Sequence, residues 1–173
     1  MQNPVSHAQR IADLVTRLDE AADRLGTRLE RAGDRAEHAD SGWTAAQVGA
    51  HVALVNNSFC AVVDGSAPAA KPASEGFVER PWVDIASGIA DRLEAPARVA
   101  PPATVSGSEA AHMVRDSAAR LGRALTDLTE ERGRYCISNP IVGTITVVQM
   151  GDWAIAHMIR HNQQAKRILN KGS

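Results

Sequence analysis

The sequence predicts an all-α protein, a four-helix bundle, and three observations carry that expectation. Four segments repeat apolar residues at spacings of three and four, the period of one helix face. Each segment is preceded by a Ser/Thr-x-x-Glu/Gln tetrad, in which a hydroxyl and a later side chain satisfy backbone groups left open at a helix start. Aromatic residues make up only 3% of the chain while alanine and leucine recur, which suits close-packed helices better than a sheet of aromatic and β-branched pairs.

In order, Ser6 and Gln9 open a helix over roughly 7–32, with Ile11, Leu14, Leu18, Leu25 and Leu29 on its apolar stripe. Thr44 and Gln47 open the second, roughly 44–64, with Val48, Val52, Val55, Phe59 and Val62. Ser106 and Glu109 open the third, roughly 107–131, with Ala111, Val114, Ala118, Leu121, Leu125 and Leu128. Thr146 and Gln149 open the fourth, roughly 146–170, with Met150, Ala154, His157, His161, Ala165 and Ile168. Between the second and third helices runs a long crossover holding Pro68, Pro72, Pro81, Pro96, Pro101 and Pro102. A compact domain rarely leaves that much chain unstructured, so the crossover is expected to pack on the bundle, with a short helix near Val83–Leu93, or else to stay solvated.

At 173 residues and 44% hydrophobic content the chain is expected to form one domain over 1–173. Its 19 basic and 20 acidic residues nearly cancel, which disfavours nucleic acid as a partner. No apolar run reads as a membrane span or a leader, so a cytoplasmic protein with no membrane association is expected. The two cysteines, Cys60 and Cys136, form no Cys-x-x-Cys pair, so any metal has to be held by other side chains.

The chemistry concentrates in the histidines. His157 and His161 are four apart on an otherwise apolar stripe, one turn from each other on one helix face. His51 sits three residues after Val48 and four before Val55, on the buried stripe of another helix. Burying three imidazoles costs free energy unless their nitrogens find partners, and a shared divalent metal would supply them together. Three core histidines bonded separately to backbone or water would do so as well. Three histidines without a fourth protein ligand match an open, catalytic type of site. Imidazole suits zinc, nickel, iron or copper and the sequence does not select among them, with zinc or nickel taken as the first expectation and iron next. By helical spacing Gln164 and Ser58 fall near such a site, and Cys60 falls off its face as a small apolar residue. His7, His38, His112 and Asp152 are expected to be solvated.

These features resemble the DinB-like (DNA-damage-inducible) four-helix proteins. The resemblance rests on Gly42-Trp43-Thr44 followed by His51, then on Asn139-Pro140 and Gly143 ahead of a helix carrying Trp153, His157, Arg160, His161 and Gln164, an H-x-x-R-H-x-x-Q pattern. It implies an up-up-down-down type of bundle with a long crossover, a metal at His51, His157 and His161, and a homodimer. Branches of that family use low-molecular-weight thiols. The resemblance thus points to a metal-dependent enzyme acting on a small molecule, a thiol S-transferase or a metal-activated hydrolase. The alternative is a noncatalytic dimeric stress-response or interaction module with a structural metal.

Overall fold

In the computed structural model, which describes residues 5–33, 42–89 and 95–170, four long helices form the bundle. They are α1 (His7–Ala32), α2 (Ala45–Val63), α4 (Gly107–Thr126) and α6 (Gln149–Asn170). Between them lie two short helices, α3 (Trp82–Ala86) and α5 (Glu130–Gly133), a 3-10 turn at Ala97–Val99, and two strands, β1 (Cys136–Asn139) and β2 (Gly143–Thr146).

The expected starts hold in differing degree. Thr44 with Gln47 and Ser106 with Glu109 form complete reciprocal boxes. Ser6 accepts from the Gln9 backbone, but the Gln9 amide turns to Asp13. At α6 the Gln149 side chain accepts from the Thr146 backbone, while the Thr146 hydroxyl donates to Glu79 instead. The stripes of α1, α4 and α6 form the core as expected, with Leu18, Leu25, Leu29, Leu121 and Leu125 fully buried. On α2 the buried face includes Val48, His51, Val52, Asn56, Phe59 and Val63, rotated slightly from the expected one, so that Val55 and Val62 are only half-buried.

Paired contacts fix the helix directions. Gly49 meets Ala110 and Asn56 meets Ser117, so α2 and α4 run parallel. Arg10 pairs with Asp152 and Arg28 with Asn162, so α1 and α6 also run parallel. Gly26 lies against Arg115 and Gly122 against Leu18, and likewise His51 faces His161 while Phe59 faces Trp153, so the two pairs oppose each other. Along the chain the order is therefore up, down, down, up, which corrects the expected up-up-down-down order. Consecutive helices run parallel only across the long crossover, because only a connection that long carries the chain back along the whole bundle.

That crossover is fastened along its length. Lys71 and Cys136 exchange two backbone hydrogen bonds of 3.0 and 2.7 Å, Gln149 donates to the Arg80 carbonyl, Ile85 and Val99 are buried, and Gln47 donates to the Pro102 and Ala103 carbonyls. The short helix appears at Trp82–Ala86, and the rest of its expected range reaches beyond the described residues.

The β1–β2 hairpin was not anticipated. It pairs Cys136 with Thr146 and Asn139 with Gly143, and the positive φ of Gly143, 73°, allows the tight return. Two expectations of solvation also give way. His7 hydrogen-bonds the Leu128 carbonyl at 2.8 Å, and Asp152 is largely buried beside Arg10 and Arg17. His112 is exposed as expected, and His38 lies outside the described residues. Of the described helices only α2 is long and apolar enough to cross a membrane by composition, but most of that stretch is buried in the bundle.

Candidate metal centre

The side chains of His51, His157 and His161 converge in the α2–α6 interface, with one nitrogen from each lying within 4.8 Å of the other two. Helix α2 delivers His51 from a start built by the Gly-Trp-Thr segment. Gly42 takes a φ of 81°, Thr44 caps the helix, and the Trp43 ring packs 5.1 Å from the His51 ring. The imidazoles of His157 and His161 face it from α6 at ring separations of 5.2 and 5.1 Å. Below them Phe59 and Trp153, 4.7 Å apart, hold the same two helices together.

The hydrogen bonds around the cluster decide which nitrogens are free. Nδ1 of His51 lies 2.8 Å from the Val99 carbonyl, which can only accept, so that nitrogen carries the proton and Nε2 keeps its lone pair. Nδ1 of His161 lies 2.7 Å from Oε1 of Gln164, which fixes its ring in the same sense. Nε2 of His161 then meets Nε2 of His157 at 3.0 Å. Nδ1 of His157 is buried and has no hydrogen-bond partner.

Burial favours the neutral form of each ring. It is the first cause of lowering at His51, where the Val99 bond works against it. It holds His157 well below the ordinary histidine value, helped by His161, His51 and Arg160. His161 is pushed down to about 4, by burial first and then by His51. Neutral imidazoles, each able to offer a lone pair, are what metal ligation needs.

Three nitrogens so placed, two of them oriented by their own hydrogen bonds, fit a divalent metal. Among the described residues no carboxylate or thiolate joins the group, so three protein ligands would leave coordination positions for water or substrate. Gln164 takes the supporting role that its spacing suggested. Ser58 does not, because its hydroxyl folds back onto the Leu54 carbonyl of its own helix. Cys60 packs against the core, and burial, then Asp64, raises its thiol pKa. Asp152 is engaged by two arginines and faces away from a base's role. The residue missed in the sequence is Asn56, fully buried in the same interface, where it donates to Ser117 at 3.3 Å and approaches the Met158 sulfur at 3.7 Å. It stands at helical spacing from Val52 and Phe59, and that was the signal available.

No curated protein and no solved structure matches this chain. A family model described as the DinB superfamily matches residues 17–165, which takes in α2 and α4 whole, most of α1 and α6, and the three histidines. The chain therefore belongs to the DinB superfamily.

Proposed function

We propose that the protein is a metal-dependent enzyme that binds one divalent ion, zinc or nickel first and iron next, at His51, His157 and His161. The observation that carries this reading is the three-nitrogen cluster whose rings at His51 and His161 are each oriented by a hydrogen bond on the far nitrogen. Such outer partners are how proteins hold metal-ligating imidazoles. When bound, the metal supplies Lewis acidity that makes a thiol or a water nucleophilic near neutral pH. The chain itself holds three neutral imidazoles in place, sets Val99 and Trp43 against His51, and offers no fourth ligand among the described residues. Transfer of a low-molecular-weight thiol, or hydrolysis, is the chemistry this arrangement favours.

Elemental analysis of protein purified without affinity-tag metal, beside His51→Ala, tests the reading. About one metal per chain in the wild type, lost in the variant, supports it, and thiol-transfer assays follow. Wild-type protein that takes up no zinc, nickel or iron on reconstitution refutes it.

A further inference from the structure

Two buried polar atoms in the α2–α6 interface have no hydrogen-bond partner, Nδ1 of His157 and Oδ1 of Asn56. Their positions are related. Along the two antiparallel helices His51 faces His161 and Phe59 faces Trp153, so Asn56, between them, stands close to the level of His157. Its amide nitrogen approaches the sulfur of Met158, the residue next to His157. The His157 ring turns Nε2 towards His161, so Nδ1 is the nitrogen left buried and without a partner.

The two atoms are also complementary in chemistry. With Nδ1 of His161 committed to Gln164, Nε2 of His161 is a bare acceptor, so the 3.0 Å contact makes Nε2 of His157 the proton donor and leaves its Nδ1 bare. If Nε2 of His157 instead binds a metal, the neutral ring carries its proton on Nδ1, and that buried N–H needs an acceptor. The Asn56 amide donates to Ser117, which fixes its orientation and leaves the carbonyl oxygen free to accept. The Ser117 hydroxyl is itself anchored on the Val114 carbonyl.

Resting on the metal-centre reading, we propose that Asn56 is the positioning residue for His157. Its side-chain carbonyl accepts from one buried water that in turn accepts from Nδ1–H, so that Nε2 faces His51 and His161. A water serves both states of the ring, donating to bare Nδ1 without metal and accepting from Nδ1–H with it, while donating to Asn56 throughout. Each ligand histidine then has an outer partner: Val99 for His51, Gln164 for His161, and Asn56 for His157.

The test combines zinc competition titrations with nitrogen-15 spectra of histidine-labelled protein. In the wild type, one equivalent of zinc should convert His157 Nδ1 from bare to protonated, with a slowly exchanging proton. Asn56→Leu should bind zinc about 10–100-fold more weakly, with unchanged helical content and a faster-exchanging proton. Zinc affinity and exchange in Asn56→Leu equal to the wild type would overturn the assignment of Asn56 while leaving the three-histidine centre standing. A wild-type spectrum in which His157 Nδ1 stays bare under saturating zinc also overturns it, without relying on any variant. Wild-type protein that binds no zinc overturns the centre and Asn56's role together.

Discussion

The Val99 carbonyl accepts a 2.8 Å hydrogen bond from Nδ1 of His51, so a residue of the proline-rich crossover sets the orientation of a cluster histidine on helix α2. Val99 is held there by its own side chain, only 4% exposed, and by the 3-10 turn it closes. The crossover thus takes part in building the three-histidine cluster.

Val99→Ala should therefore act on both stability and binding. Two buried methyl groups are lost, at a cost of about 1–2 kcal/mol, and the freed turn should weaken metal binding several-fold. Denaturant unfolding and a chelator competition would measure the two effects. Destabilisation with unchanged metal affinity would mean that the carbonyl does not orient His51.

The low pKa values of the three histidines make a prediction for the metal-free protein. Unfolded, these rings protonate near about 6.5. Folded, His161 does so only at about 4, and His157 also lies well below its ordinary value. Between those limits the unfolded chain binds more protons, so stability is complete above the unfolded value and falls as pH drops towards the folded one. Urea midpoints of metal-free protein should decline from about pH 6.5 downward, and His161→Gln should flatten the decline. Midpoints independent of pH across that window would contradict the burial of neutral rings.

Much of this was legible locally. The apolar stripes and helix starts depend on residues three or four apart, and they placed the four long helices and set the three histidines on inward faces. The hairpin was not legible, because its strands are four residues long and are fastened by Lys71 and Glu79, far away in sequence. Asp152 was misjudged for the same reason, since its partner Arg10 lies 142 residues away. Asn56 was overlooked because Val55 makes an equally regular stripe, and only packing against α4 and α6 rotates α2 to bury the amide.

Arg10 makes a second prediction about long-range pairing. It pairs with Glu79 at 2.6 Å and with Asp152 at 3.5 Å, joining α1, the crossover and α6, and Glu79 in turn accepts from Thr146. Burial raises the Asp152 pKa, while Arg10 and Arg17 lower it. Arg10→Met removes one of those two cations, so the variant should lose about 1–3 kcal/mol at neutral pH. Protonation relieves a buried carboxylate, so the gap to the wild type should narrow as pH falls. Thermal melts at neutral and mildly acidic pH would show it, and a gap that widens on acidification would contradict the account.

Two glycines of α4 should respond to alanine in opposite directions. At Gly107 a Cβ would stand 2.4 Å from the Leu29 carbonyl oxygen and 2.5 Å from that of Gly33, both backbone atoms that cannot swing aside. Gly107→Ala has to push the start of α4 away from the end of α1, and overpacking of that kind costs about 1–3 kcal/mol or more. At Gly122 the nearest atoms, on Val15 and Leu18, lie at 3.8 and 3.9 Å, ordinary contact distances. There the added methyl fills space and removes a helix-interior glycine, so Gly122→Ala should stabilise by about 0.5–1 kcal/mol. Chemical unfolding of the two variants side by side separates a backbone collision from a helix-propensity effect. If both shift the midpoint in the same direction, the close approach of α1 and α4 at Gly107 is not what fixes the helix crossing.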